Sequence, residues 1–414
     1  RRLTTHPAAD FNARWSSCGS SVFFLSTRSG SSQVWRIKVD GGEALQVSDL
    51  PLDVGNLVVS PDGNFLAFTM EIYPGKSLKE TVEKLAAIDK GKTTGRIYDR
   101  IFVRHWDTWS DGGRSHLFVM PISGGEARDL MMAMDADTPS KPFGGPEEIT
   151  FTPDGKGLVY TARDVGKEEP WSTDFDLYYV PVDSSEKSQC LTWENQAWDT
   201  SPVFSPDGKT LAYLAMARPR YEADRFRIIV RDWASGKMRV LTEDWDYSPG
   251  SIGWSADGRS ILVSAPNKGQ NSLFAVDVAT GKVKTLVEMG TVSGFAQAGD
   301  RIVFGRHTLL SPAEIYSVDA GGGNEQVVTK INAARLAAAR LGEPEQFTFK
   351  GWHDETVHGY IVKPVDFDPV GKYPVAFLIH GGPQGSFGND FHYRWNPQAY
   401  AGAGYAAVMG DFHG

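Results

Sequence analysis

A four-residue turn returns along the first three quarters of this chain and limits what it can fold into. Ser60-Pro61-Asp62-Gly63, Thr152-Pro153-Asp154-Gly155, Ser205-Pro206-Asp207-Gly208 and Ser255-Ala256-Asp257-Gly258 share one pattern, with weaker copies at Ser17-Cys18-Gly19 and Ala298-Gly299-Asp300. Proline at the first central position fixes φ, and the closing glycine takes the positive φ that reverses the chain, so each copy separates two strands. An apolar strand follows each turn, at residues 65–69, 158–162, 211–214 and 261–264. A third strand alternates, at 33–37, 176–180 and 272–276, as expected of a half-covered sheet. The turn glycines at 19, 63, 155, 208 and 258 lie 44, 92, 53 and 50 residues apart, against about 40–50 for one blade of a propeller. The expectation is an all-β propeller over residues 1–328, about seven blades with six visible, and residues 1–5 as the last strand of a preceding blade. Radial blades protect their sheet edges, which a β array of this length requires.

The long interval marks an insertion at about residues 71–114. Ser77-Leu78-Lys79-Glu80 has the spacing of a capping box, and Leu78, Val82, Leu85 and Ala86 share a helical face, so a short helix is predicted there. Next comes a stretch dense in cationic and aromatic groups, with Arg104, His105, Trp106 and Trp109. Two readings stay open for it: packed residues of the interrupted blade, or the lining of a substrate cavity.

The pattern changes after Val328. Residues 332–341 read as a helical connector, and 345–350 with 357–363 as an antiparallel pair. An almost unbroken apolar run at 374–379 suits a central strand covered on both faces, and His380-Gly381-Gly382-Pro383 follows at once. A helix at 398–403 and a second buried strand at 405–410 lead to Asp411-Phe412-His413-Gly414. Strand, His-Gly-Gly turn, helix and strand are the early part of an α/β-hydrolase, placed here at 329–414. The loop after its third strand donates a backbone N–H to the oxyanion hole, and glycine lets the backbone come close to the tetrahedral intermediate.

Charge and composition narrow the function. A formal net charge of −9 argues against a nucleic-acid partner, because affinity for phosphate backbones comes mainly from Lys and Arg. No apolar run is long enough to span a bilayer. The two cysteines, Cys18 and Cys190, make neither a zinc pattern nor a disulfide framework, so no cofactor is implied.

The order of repeats followed by His380-Gly381-Gly382-Pro383-Gln384-Gly385-Ser386, together with residues 103–109, 375–396 and 408–414, resembles the prolyl oligopeptidase family of serine peptidases. The nearest branch is the one holding acylaminoacyl peptidases and dipeptidyl peptidase five. The resemblance implies a propeller that admits short peptides, an acyl-enzyme mechanism, and an oxyanion donor at the Gly382 N–H. No Gly-x-Ser-x-Gly occurs in the 414 residues, and in this fold the order is Ser, Asp, His after the strands seen here. The nucleophile, acid and histidine are therefore expected beyond residue 414, in a C-terminal catalytic segment of the same protein. Any targeting segment is expected upstream of Arg1.

Release of N-terminal dipeptides is the expected activity, with removal of blocked N-terminal residues as the alternative and a non-catalytic binding propeller as the reading from another class. A free N-terminal ammonium needs a carboxylate partner, and Glu168 with Glu169, beside Trp171, is the candidate; a solvated turn is the plainer reading of the same pair. The substrate-side candidates are thus Glu168, Glu169, Arg104, His105, Trp106 and Trp171. The resemblance points to a periplasmic or secreted protein, with a cytoplasmic location as the alternative, and leaves a homodimer open.

Overall fold

The computed structural model describes residues 2–105, 107–132, 134–382 and 385–411. Most of the regular structure is β, and the chain divides into two compact units: Arg1–Asp224 with Val230–Met238, and Arg225–Ile229 with Arg239–Gly414.

In the first unit, three four-stranded antiparallel sheets follow one another. The first is made of Asp10–Trp15, Ser21–Ser26, Gln33–Lys38 and Leu45–Gln46. The second is made of Gly55–Val59, Phe65–Ile72, Arg114–Pro121 and Arg128–Asp129, and the third of Ile149–Phe151, Gly157–Ala162, Asp176–Pro181 and Gln189–Cys190. Asp199–Phe204 and Thr210–Ala215 form a further antiparallel pair. Residues 2–5, expected as a strand, carry none; Leu3 packs against the Val22, Phe24 and Ile37 cluster.

The recurring turn forms for a local reason. The Ser60 hydroxyl donates to Asp62 Oδ1 at 2.6 Å and accepts the Phe65 N–H at 2.9 Å, while the Gly63 N–H reaches the Ser60 carbonyl at 3.0 Å. Thr152 with Asp154 (2.7 Å) and Ser205 with Asp207 (2.6 Å) repeat this. The glycine serves a second purpose. A Cβ on Gly63 would stand 2.4 Å from Ser17 Oγ, one on Gly155 2.6 Å from Asp62 Cγ, and one on Gly208 2.8 Å from Pro153 Cγ. Each of these three turns therefore rests on the turn before it.

Alternation in the third strands does not give a half-covered sheet. Across the alternating stretches three of five residues are buried at 33–37 and at 176–180 and four of five at 272–276, and Arg36 alone among them is exposed. Both faces of the second sheet are covered: Leu66, Phe68, Phe118 and Met120 pack with Phe23, Leu25 and Leu57, whereas Ala67, Leu117 and Val119 pack with Leu158, Tyr160 and Val180. One strand thus feeds two cores with period two.

Ile72 pairs with Arg114, so the insertion is 73–113 within an otherwise continuous sheet. It holds the predicted helix, Leu78–Lys90, with a complete capping box: Ser77 Oγ accepts the Glu80 N–H, and Glu80 Oε2 accepts the Ser77 N–H at 2.8 Å. The helix docks through Thr81, whose hydroxyl accepts the Tyr73 N–H, and leaves Leu85 and Ile88 exposed.

In the second unit, Ser251–Trp254, Ser260–Asn267, Gln270–Asp277 and Val283–Val287 form one antiparallel set, and Thr291–Ala298, Arg301–Thr308, Ser311–Asp319 and Gln326–Val327 another; a parallel bridge from Asn271 to Thr291 joins them. The predicted connector helix shrinks to Ala333–Ala337, none of it buried, as expected of a short run with no face to pack. A last sheet has the order Pro344–Lys350, Thr356–Val362, Ala406–Gly410, Val375–Leu378, with the final pair parallel. Within these 414 residues the apolar strand Val375–Leu378 lies at the edge of this sheet. Among the described residues it pairs only with Ala406–Gly410, and Val375, Phe377 and Ile379 are 62%, 61% and 66% exposed.

Candidate functional site

Parallel neighbours bring their C-terminal ends to the same sheet edge, where α/β folds place ligands. Here Val375–Leu378 runs into His380-Gly381-Gly382, and Ala406–Gly410 runs into Asp411. The helix between them, Pro397–Gly402, starts cleanly because Asn396 caps the Gln398 N–H and proline occupies its first position.

Asp411 closes the loop that follows the glycines. Its Oδ2 accepts the Ser386 hydroxyl at 2.6 Å, its Oδ1 accepts the Phe387 N–H at 3.0 Å, and the same Oδ1 stands 3.9 Å from His380 Nε2. His380 is buried, its Nδ1 is 2.7 Å from the Gly381 carbonyl, and its ring meets the Phe387 ring edge to face at 5.6 Å. Gly382 is exposed; Pro383 and Gln384 lie outside the described residues.

Asn389 ties the far end of this loop to the preceding strands with all four of its polar groups. Its N–H donates to the Gly269 carbonyl at 2.6 Å and its side-chain amide to Gln270 Oε1 at 3.1 Å, while Oδ1 accepts the Leu309 N–H (2.9 Å) and the carbonyl accepts the Thr291 hydroxyl (3.0 Å). Gly388 must be glycine for this approach, since its Cβ would lie 2.4 Å from the Gly269 carbonyl oxygen. Asp390 adds an ion-pair geometry to His307 at 2.7 Å.

The other candidate residues sit in the first unit, around Arg114. Its guanidinium binds Glu169 with two parallel bonds of 2.8 and 2.7 Å, Asp137 at 2.8 Å and Asp135 at 2.9 Å. Arg100 binds Asp135 at 2.6 Å, and Lys141 bridges Asp137 at 2.8 Å and Glu71 at 2.9 Å. Burial alone would weaken the Arg114 charge; the bonds from Glu169 and the fields of Asp137 and Glu169 outweigh it and raise its pKa. Asp135, despite burial, is held below the usual carboxylate range by Arg100 and Arg114.

Glu168 and Glu169 lie on one 3₁₀ turn, Gly166–Trp171, but face different partners. Glu169 is only 14% exposed, bound by Arg114 and 3.8 Å from Arg163, while Glu168 is 67% exposed and 3.9 Å from the surface Arg220. A cavity of about 890 Å³ opens beside Glu169 and Arg114, with Leu85, Ile88, Tyr98 and Phe102 among its walls. Neither Arg104 nor Trp171 is part of that lining among the described residues. Arg104 pairs with Trp109 in the hairpin of Arg104–His105 and Thr108–Trp109, Trp171 is exposed, and Trp106 lies outside the described residues. No group of three or more His, Cys, Asp or Glu among the described residues is placed to hold a metal ion.

Arg114, Asp135 and Asp137 escape sequence reasoning because they come from three places, a strand end and two loop positions, with no local motif. Asp411 carries a faint signal, a carboxylate directly after a buried strand. Asn389 carries none.

No family model matches the chain. It is 29% identical over 419 residues to dipeptidyl-peptidase 5 of Porphyromonas gingivalis and 30% identical over 422 residues to dipeptidyl-peptidase 5 of Porphyromonas endodontalis, in each case with 100% of this chain and 60% of that protein aligned. The chain thus spans about 60% of the length of these curated relatives. Among solved structures, acylaminoacyl peptidase of Pyrococcus horikoshii superposes with a TM-score of 0.72 at 19% identity, over 97% of this chain and 57% of that one, a likeness of fold. With the repeated sheets, the His-Gly-Gly loop at a parallel strand end and this end-to-end alignment together, the chain is similar to peptidases of the prolyl oligopeptidase family.

Proposed function

We propose that residues 1–328 are a β-propeller and residues 329–414 the opening of the α/β-hydrolase domain of a serine exopeptidase. In this reading the whole protein releases N-terminal dipeptides from short peptides through an acyl-enzyme. The observation that carries it is the alignment of the entire chain with dipeptidyl-peptidase 5 of two Porphyromonas species. The loop geometry supports it, because an exposed Gly382 beyond a parallel strand is where an oxyanion donor belongs. The repeated sheets are blades, about seven in the whole protein with six in this chain. The nucleophile, acid and histidine come from a C-terminal catalytic segment of the same protein, since these 414 residues hold no Gly-x-Ser-x-Gly.

On the substrate side we place Glu168, Glu169, Arg104, His105, Trp106 and Trp171. Glu169 is only 14% exposed beside two arginines, whereas Glu168 is 67% exposed beside the surface Arg220 and is the carboxylate more open to an incoming ammonium. The proposed location is periplasmic or secreted; no helix among the described residues is long and apolar enough to cross a membrane.

The test uses the full-length natural protein, a fluorophosphonate probe, and two sets of fluorogenic substrates, dipeptidyl amides with a free amine and acetylated aminoacyl amides. One label per chain with release from the free-amine set is the expected result. Hydrolysis of the acetylated set alone would replace dipeptide release by removal of blocked residues. An unlabelled, folded protein that hydrolyses neither would return the propeller to a binding role. Glu168→Gln is expected to lower kcat/KM at least about tenfold on free-amine substrates and to spare acetylated ones.

A further inference from the structure

We infer that His380 and Asp411 are positioning residues that aim the Gly382 N–H, an inference that rests on the peptidase reading above. A carbonyl oxygen can only accept, so the 2.7 Å contact between His380 Nδ1 and the Gly381 oxygen puts the proton on Nδ1. The peptide between Gly381 and Gly382 is planar and trans, which sets its C=O and N–H in opposite directions. Drawing the Gly381 oxygen to the imidazole therefore turns the Gly382 N–H away from it. Glycine at both positions leaves this peptide no side chain to hold it, so its orientation has to be imposed from outside.

The imidazole is itself fixed. It is buried and meets the Phe387 ring edge on. Asp411 in turn holds Phe387 by its N–H and Ser386 by its hydroxyl. One carboxylate on the neighbouring strand end thus locks the loop, the loop locks the ring, and the ring selects one of the two faces of the Gly381–Gly382 peptide. An N–H so aimed interacts with charge that develops only in the transition state, and its loss appears in kcat more than in KM.

In the full-length protein, His380→Ala and Asp411→Ala are expected to lower kcat about 100-fold with KM changed less than about threefold. His380→Asn keeps an N–H close to the place of Nδ1 and is expected to recover at least about tenfold of that loss. Folded alanine variants with kcat within about threefold of wild type, a loss carried by KM, or an asparagine variant no better than alanine would each overturn the inference. Should an alanine variant fail to fold, Ser386→Ala decides, because it removes one exposed hydroxyl: about tenfold lower kcat supports the inference and an unchanged kcat rejects it. Amide exchange separates this inference from the peptidase reading. If wild type cleaves no peptide, that reading fails, while faster exchange at Gly382 and Phe387 in Asp411→Ala still supports the positioning and unchanged exchange overturns it.

Discussion

Arg114 stands among Asp135, Asp137 and Glu169 with a side chain only 13% exposed, so none of these charges can be removed independently of the rest. Arg114→Met would leave three neighbouring carboxylates without their common cation and is expected to cost about 3–5 kcal/mol, read as a lower urea midpoint. Glu169→Gln keeps an oxygen toward the guanidinium and leaves Arg114 its two aspartates, so its cost is expected at about 1–2 kcal/mol. Asp199 is fully buried at the start of its strand, with the Asn195 amide 2.9 Å from its Oδ1. Burial pushes its pKa up to about 8, with Asp176 and Asp174 adding to the effect, and Asp174 itself is raised to about 6. The folded state therefore binds a proton between about pH 4 and pH 8 that the unfolded state has released, and stability falls as pH rises through that window. Asp199→Asn removes the titration. Its melting temperature relative to wild type is expected to climb by about 3–8 °C from pH 5 to pH 8, and a constant difference would place the proton elsewhere. Neither cluster is legible in the sequence, because residues 114, 135, 137 and 169, or 174, 176 and 199, become neighbours only when separate sheets pack.

At the scale of elements, the recurring turn carries two loads, a local hydrogen-bond cage and a seat on the preceding turn. Gly19 and Gly155 both have φ near 70°, yet a Cβ on Gly19 meets nothing within 4 Å whereas one on Gly155 would strike the Asp62 carboxyl at 2.6 Å. Gly19→Ala is expected to cost about 1 kcal/mol, the conformational penalty alone, and Gly155→Ala about 2–3 kcal/mol, as the backbone or Asp62 must also shift. Equal losses in denaturant melts would show that the seat has no energetic weight. The turns were readable because proline, aspartate and glycine each act within four residues, and the capped helix Leu78–Lys90 was readable for the same reason. The register shifts in the first strands were not. Asn12, Asn56 and Ser201 each take a φ between 51° and 55° at the irregular point of a strand pair, and only the two asparagines belong to a type enriched there. The third-strand alternation misleads for a different reason, since packing between successive sheets covers the face that a single sheet would leave to water.

At the scale of the whole molecule, Val375, Phe377 and Ile379 form an exposed apolar run. These side chains share one face of an edge strand that pairs on one side only among the described residues, and an apolar, half-paired edge invites association with another chain. Composition alone predicts burial there, and pattern cannot say what supplies it, because an apolar strand reads the same whether its cover is a nearby helix or a segment far along the protein. In the proposed peptidase the cover is the rest of the catalytic domain. One substitution then has opposite effects in two settings. In the 414-residue chain alone, Phe377→Glu is expected to reduce self-association and binding of a hydrophobic dye, since it breaks an exposed apolar face. In the full-length protein the same change would bury a carboxylate and is expected to lower the melting temperature by at least about 5 °C with loss of activity. If Phe377→Glu is neutral in the full-length protein, the face stays in water there, and the strand is not the interior strand that the hydrolase reading requires.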